Sequence, residues 1–393
     1  MDVFNRFVSS TQSIVAIDMH TVGEPSRIVC RGVDHLLNGS RLLDKRDDAK
    51  LNQDHLRKRI MFEPRGHPEM YGAILVRETE LTRSGEAHIG VLFTHNEGYS
   101  TMCGHATMAL GRFLVDTLDT DVFPVRSSLK HDPETSTTQV NLHAPCGLVR
   151  ISVPTLLKAE QITYDSSRLV SFLSVPSFAT AIDVEVEVPA SYRWPELGSR
   201  TSIVLSVSYG GAFYAILPAE ELGFGQGLRN ASMEALSHAT AQLKALIMKE
   251  HAYTTHHPTE PSLSYLYGVV VSDSSFADEL GLCFFADQQV DRSPTGSAVG
   301  ARIALAHAKG QLSLNTPKRY HSIVSIASKD PSQDGFVGEA VEVVDIEGGE
   351  GVAAKGVVIK TSGEAFYTGA SAFVHEPQDR LSHAGFKVEL PRA

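Results

Sequence analysis

Residues 103–109 read Cys103-Gly104-His105-Ala106-Thr107-Met108-Ala109, and residues 295–301 read Thr295-Gly296-Ser297-Ala298-Val299-Gly300-Ala301. Each stretch follows turn-like residues and opens an alanine-rich helix, so one loop-to-helix device occurs twice, once in each half of the chain. That repetition predicts two similar α/β domains facing each other across a cleft. The unpaired N–H groups of a helical first turn form an anion site, and the helix macrodipole adds partial positive charge there. A cysteine at such a position is expected to give up its proton easily, and glycine beside it lets a ligand approach the backbone. Cys103, Gly104 and His105 thus offer a base, an anion cradle and an imidazole within three residues. Position alone leaves open that Cys103 is a small core residue, the usual fate of a free cysteine.

The second copy is preceded by Asp291-Arg292-Ser293-Pro294. Asp291 could pair with a substrate ammonium while the Gly296 and Ser297 amides bind its carboxylate. The plainer alternative is a capping arrangement, with Ser293 or Thr295 as the N-cap and Asp291–Arg292 a solvated pair.

Working outward, apolar runs and turn chemistry predict a strand at 14–18, a loop at Gly23-Glu24-Pro25 and a strand at 28–33. Leu36, Leu43, Leu51, Leu56 and Ile60 fit one or two surface helices over 36–60. Strands are expected at 72–76, 88–94, 139–143 and 148–153, with an exposed loop at 127–138. A buried strand pair over 202–217 is broken by Tyr209-Gly210-Gly211, and a long helix covers 231–250. Strands follow at 265–271 and 282–286, and the tail from Ile323 to Val388 is strand-rich with turns at Gly348-Gly349 and Ser362-Gly363. Pro189, Pro195 and Gly198 suggest a boundary, giving a first domain over 14–188 and a second over 189–363. Strands at about 364–390 are expected to pack back onto the first domain.

The 393 residues are 42 % hydrophobic and 21 % charged, which suits a globular enzyme with ample core. A net charge of −11 argues against nucleic acid or anionic membrane as partner. No apolar run approaches the roughly 20 residues of a membrane span. The amino terminus lacks a signal-peptide pattern, and four cysteines are too few for a disulfide framework, so a cytoplasmic location is expected. Cys30, Cys146 and Cys283 fall in strand-like runs and read as core. His20, His67 and His256-His257 read as loop or core histidines, since no metal-ligand spacing is present. Neither a phosphate-binding G-x-x-x-x-G-K-[ST] nor a G-x-G-x-x-G after a strand is found, and no lysine sits in a recognisable pyridoxal-phosphate setting.

Phe93-Thr94-His95-Asn96-Glu97-Gly98-Tyr99-Ser100-Thr101-Met102-Cys103-Gly104-His105 closely resembles the first catalytic segment of the proline racemase superfamily. Asp291-Arg292-Ser293-Pro294-Thr295-Gly296-Ser297 resembles its second. Asp18-Met19-His20-Thr21 with Gly23-Glu24-Pro25, and Glu63-Pro64-Arg65-Gly66-His67 with Met70-Tyr71-Gly72, match further family segments, so the resemblance spans nearly the whole chain. It implies a diaminopimelate-epimerase-like α/β fold. Two pseudo-symmetric domains would each wrap strands around a central helix, with the active site in the inter-domain cleft. It also implies an enzyme without cofactor or metal and, at family level, a homodimer.

Racemases and epimerases of the family carry a cysteine in both segments, whereas the second position here is Thr295. Cys followed by Thr resembles the family's trans-3-hydroxy-L-proline dehydratases, which narrows the expected reaction to loss of water giving Δ1-pyrroline-2-carboxylate. The resemblance makes Cys103 the proton acceptor and Thr295 the second catalytic position. It makes Gly104, His105, Asp291, Gly296 and Ser297 substrate-binding. The logic is chemical as well, because a threonine hydroxyl makes a poor second acid–base partner for racemisation, and elimination needs only one. The rival expectations are a proline or hydroxyproline racemase or epimerase and a non-catalytic imino-acid-binding protein. A thiol hydrolase ranks below these, as no separate His–Asn/Asp pair is evident.

Overall fold

The computed structural model describes residues 1–275, 279–346 and 355–388. The chain divides into two units, residues 1–172 with 364–393, and residues 173–363.

In the first unit, strand Ile14–Thr21 lies between strand Glu24–Arg31 and strand Phe366–Phe373, antiparallel to both. Glu24–Arg31 then pairs in parallel with Gly72–Val76, which is antiparallel to Ile89–Thr94. Ile89–Thr94 is parallel to Thr137–Ala144, itself antiparallel to Gly147–Lys158. Parallel neighbours need a crossover. The first crossover carries helices Leu42–Leu51 and Asp54–Met61, and the second carries helix Gly104–Asp116.

The second unit repeats this order. Phe178–Glu187 is antiparallel to Ser202–Tyr209, which is antiparallel to Phe213–Pro218. Phe213–Pro218 is parallel to Leu266–Asp273, which is antiparallel to Glu279–Phe285. Glu279–Phe285 is parallel to Lys318–His321, and that strand is antiparallel to Phe336–Asp345. A further antiparallel strand, Lys355–Gly363, completes the unit. Helix Met233–Glu250 fills the first crossover and helix Gly296–Ala308 the second. The internal repeat is therefore topological, extending well beyond the seven residues that announce it in the sequence. It also gives Phe366–Phe373 a role, since this strand occupies in the first unit the place that Phe178–Glu187 occupies in the second.

Both crossover helices lie in apolar cores. Helix Gly104–Asp116 packs on strands Ile14–Thr21, Glu24–Arg31, Thr137–Ala144 and Gly147–Lys158. Ala106, Ala109, Leu110 and Leu114 are wholly buried, as expected for a helix that is apolar nearly all round. Small residues let strands come close: a Cβ on Gly111 would stand 2.6 Å from Ile151 Cγ2. Helix Gly296–Ala308 packs likewise on strands Phe178–Glu187, Ser202–Tyr209, Phe336–Asp345 and Lys355–Gly363.

Several elements differ from the sequence reading. The division falls at 172/173 rather than near 188, because Phe178–Glu187 pairs along Ser202–Tyr209 and belongs to the second unit. The proline-rich stretch after it forms only two short 3-10 turns within that unit. The 36–60 segment forms two helices as well as a short 3-10 turn, yet Leu42, Ala49, Leu56 and Ile60 are buried in a core cluster. Its charge-rich sequence predicts one or two surface helices instead. The 127–138 loop contains a two-residue strand, His131–Asp132, paired with Thr137–Thr138. Helices Asp2–Ser9 and Glu80–Ser84 were not anticipated. The expected turn at Gly348-Gly349 lies outside the described residues.

Candidate active site

The Cys103 helix begins with Cys103 as N-cap, in extended conformation at φ −146° and ψ 113°. Its thiol takes the role usually filled by a Ser or Asp oxygen: Ala106 N–H donates to Cys103 Sγ at 3.4 Å. The sulfur thus sits on the positive end of the helix, where an amide donor and the macrodipole both favour its anionic form. The His105 ring lies across it, with Nδ1 and Nε2 at 3.3 and 3.4 Å from Sγ. Cys103 and His105 are 4 % and 2 % exposed, so water screens this pair little.

Neighbouring residues fix this helix start. Tyr71 meets the His105 ring edge-on at 4.7 Å, and its hydroxyl is 2.6 Å from Ser100 Oγ. Thr21 donates to the His105 carbonyl at 3.0 Å, and Thr107 donates to the Cys103 carbonyl at 2.6 Å. The loop leading into Cys103 is anchored by Arg57, which is 2 % exposed. Arg57 forms a bidentate pair with Asp54 at 2.6 and 2.9 Å and donates to the His95 carbonyl at 2.7 Å.

In the second unit the device is built differently. Thr295 occupies the N-cap position at φ 59° and ψ 90°, and its side chain does not cap the helix. Left-handed backbone is unfavourable for a β-branched residue and costs on the order of 1–3 kcal/mol unless the surroundings enforce it. Here the hydroxyl turns back and donates to Asp291 Oδ2 at 2.7 Å, while Ser293 N–H donates to Asp291 Oδ1 at 2.8 Å. Both oxygens of a carboxylate only 2 % exposed are therefore bonded and oriented. The capping alternative does not describe this loop, and Asp291 is not in a solvated pair. Arg292 instead donates to the Val290 carbonyl at 2.8 Å, and Ser322 to the Arg292 carbonyl.

Ser297, 3 % exposed, has its Oγ 2.7 Å from the hydroxyl of Tyr214. A Cβ on Gly210 would lie 2.1 Å from the Ser297 carbonyl and 2.5 Å from Ala301 N, so only glycine allows this contact. In each unit the end of one strand thus meets the second residue of the helix: Thr21, the last residue of Ile14–Thr21, bonds the His105 carbonyl, and Gly210, just after Ser202–Tyr209, lies against the Ser297 carbonyl.

Of the seven residues predicted, Cys103, Gly104 and His105 gather at one helix start, and Asp291, Thr295, Gly296 and Ser297 at the other. Tyr214 and Arg57 had no signal of their own, and Tyr71 and Ser100 entered only as members of the segments that resemble the family, because their contacts with His105 and with each other join residues distant in sequence. Cys30 and Cys283 are buried in strands. Cys146 sits in the turn between Thr137–Ala144 and Gly147–Lys158, where its N–H donates to the Thr101 carbonyl at 3.1 Å. Burial pushes the Cys30 and Cys146 thiols up to about 12, which leaves them as neutral thiols. His20 accepts from Gly23 N–H and stacks on Phe366, and His257 packs on Tyr209 and accepts from Glu260 N–H. Among the described residues no group of three or more His, Cys, Asp or Glu could hold a metal ion.

Comparison with known proteins decides the family. The proline racemase model matches residues 16–387. This chain belongs to the proline racemase family. Family members named trans-L-3-hydroxyproline dehydratase include one from Bos taurus, 40 % identical over 375 residues and covering 94 % of both chains. Another, from Xenopus tropicalis, is 41 % identical over 375 residues, covering 93 % of this chain and 92 % of its own. A bacterial trans-3-hydroxy-L-proline dehydratase from Colwellia psychrerythraea is 35 % identical over 377 residues, covering 94 % of this chain and 92 % of its own. Among solved structures, a probable proline racemase from Agrobacterium radiobacter superposes with a TM-score of 0.75 at 22 % identity, covering 95 % of this chain and 96 % of its own. A hydroxyproline epimerase from Agrobacterium vitis gives 0.74 at 20 % identity, covering 95 % of each chain. The mixed α/β fold is thus that of proline racemase and hydroxyproline epimerase. No helix among the described residues is long and apolar enough to cross a membrane.

Proposed function

We propose that this protein is a hydro-lyase that converts trans-3-hydroxy-L-proline to Δ1-pyrroline-2-carboxylate and water, with Cys103 as its base. The observation carrying the reading is the asymmetry of the two helix starts. One presents a thiol capped by a helical amide and flanked by His105. The other presents a hydroxyl already committed to Asp291. The relatives named above, about 40 % identical over nearly the whole chain, carry the same activity in their names.

Both helix starts act on one substrate molecule in this proposal, as a diaminopimelate-epimerase-like arrangement of paired domains requires. The amides of Gly104, His105, Gly296 and Ser297 cradle the carboxylate. Asp291 holds the ring ammonium, and His105 orients the carboxylate. Charge that develops on the carboxylate as the α-proton leaves is then met by two helix N-termini, an electrostatic term that needs no reorganisation.

The Cys103 thiolate takes the α-proton. The C–H electrons form the C2=C3 double bond while the C3–O bond breaks. In trans-3-hydroxy-L-proline the α-hydrogen and the 3-hydroxyl share a ring face, so the newly formed thiol protonates the departing hydroxide and the thiolate is restored. The enamine released tautomerises to the cyclic imine. Thr295, its hydroxyl hydrogen-bonded to Asp291, positions that carboxylate and neither gives nor takes the substrate's proton.

Incubation with trans-3-hydroxy-L-proline in deuterated buffer, followed by NMR, tests the reading. Loss of the ring hydroxyl with appearance of the imine is expected. An unchanged ring with deuterium at Cα would make the protein an epimerase, and binding without any turnover would make it an imino-acid-binding protein.

A further inference from the structure

A second site is built at the other end of the first unit. Strand Ile14–Thr21 runs from Val15 to Thr21, whose hydroxyl holds the Cys103 helix, so at about 3.3 Å per residue its near end lies some 20 Å from the His105 carbonyl. At that near end a cavity of about 290 Å³ is lined by Ser9, Ser10, Ser13, Arg31, His35 and Arg77, among others. In a chain of net charge −11, two guanidiniums, an imidazole and several hydroxyls around one small cavity form a local concentration of hydrogen-bond donors.

The two arginines are not equivalent. Arg77 is committed, with Nε 3.1 Å from Asp34 Oδ2 and a further bond to the Asp121 carbonyl at 2.8 Å. Arg31 is the unspent charge: its Nε is buried and makes no hydrogen bond. The hydroxyl-bearing wall is held close by Gly32, at φ +95°, where a Cβ would stand 2.6 Å from the Ser13 carbonyl. That wall, residues 9–13, lies before residue 16, where the match to the family model begins.

We propose that this cavity binds a phosphate-type oxyanion, either inorganic phosphate or the phosphate of a small phosphomonoester. Arg31 supplies the planar fork that matches tetrahedral oxyanions, and the serine hydroxyls complete the shell. The volume of about 290 Å³ is ample for a phosphate with a few carbon atoms. The inference rests on the first unit alone and is independent of the dehydration reading.

The test is calorimetric titration of the full chain with inorganic phosphate and, separately, glycerol 3-phosphate, against sodium chloride at matched ionic strength. Saturable binding at one site per chain is expected, weakened about tenfold or more in Arg31→Gln, the worth of one charge-assisted hydrogen bond. Arg31→Lys should retain part of the affinity, and dehydration measured without phosphate should be unchanged in both variants. Equal affinity for the two probes identifies free phosphate as the occupant, and tighter binding of glycerol 3-phosphate identifies a monoester. A response no larger than that to chloride, or undiminished affinity in both folded Arg31 variants, would overturn the proposal.

Discussion

Thr295→Val separates a positioning hydroxyl from a catalytic one. Valine has nearly the shape of threonine and the same β-branching, so the left-handed backbone at φ 59° carries similar strain in both proteins. What changes is the 2.7 Å bond to Asp291 Oδ2, leaving this 2 % exposed carboxylate with the Ser293 amide on its other oxygen. A hydrogen bond to a charged group is worth about 1.5–3 kcal/mol, which at 1.36 kcal/mol per decade predicts a loss of roughly 10- to 150-fold in kcat/KM. With Asp291 in its proposed role of holding the substrate ammonium, a large share of the loss should be in KM. Thr295→Ser keeps the donor and should stay within about threefold of the parent, since only a methyl group is lost. The assay is steady-state imine formation from trans-3-hydroxy-L-proline, with circular dichroism to show that each variant is folded. Activity of Thr295→Val within twofold of the parent, or of Thr295→Ser as low as that of Thr295→Val, would refute the role assigned to this hydroxyl.

Three further outcomes are expected. Thr295→Cys places a second thiol at the start of helix Gly296–Ala308 and should confer some epimerisation of hydroxyproline or racemisation of proline; chiral chromatography showing no D-isomer, with no solvent deuterium at Cα, counts against opposed acid–base positions. Iodoacetate at pH 8 should alkylate Cys103, with protection by substrate, while Cys30 and Cys146, both pushed up to about 12 by burial, stay unmodified in peptide mass spectra. Burial raises the Glu279 carboxyl, but the nearby Arg302 and Lys318 charges outweigh this and hold it below its ordinary value of 4.5. A depressed carboxyl contributes stability that is full above its unfolded value and is lost as pH falls through its folded value. Glu279→Gln should therefore flatten the fall in melting temperature below about pH 4.5, and an unchanged acid limb would exclude this pair as its source.

The sequence reading succeeded where one residue type has one strong local consequence. Gly-Gly after an apolar run broke the 202–217 pair at Tyr209, and the small-residue helices began within one residue of Cys103 and Thr295. It failed where long-range pairing decides. Nothing local in Phe178–Glu187 says that it joins Ser202–Tyr209, so the boundary was placed at the prolines instead. Charged side chains hid the buried faces of helices Leu42–Leu51 and Asp54–Met61, and the buried Arg57 is paired with Asp54 there. At the candidate site, Cys103, His105 and Ser297 stand out in the sequence because helix starts have known chemistry, whereas Asp291 stands out through the resemblance, and their roles there are proposals. The Thr295 hydroxyl was legible only as a departure from a pattern. That it turns toward Asp291 depends on a backbone angle no residue code specifies. Tyr214, which meets Ser297 from a strand eighty-three positions away, is visible only in the folded chain.

The central claim, that one thiol carries the proton from carbon to oxygen, is tested most directly by Cys103→Ser assayed with trans-3-hydroxy-L-proline. Serine keeps the N-cap and nearly the volume but has far too weak an acid to supply an anion at neutral pH. The account predicts a folded, substrate-binding protein whose rate of imine formation falls by about 10²–10⁴-fold or more, the usual worth of a positioned base. Near-normal dehydration by folded Cys103→Ser would contradict it.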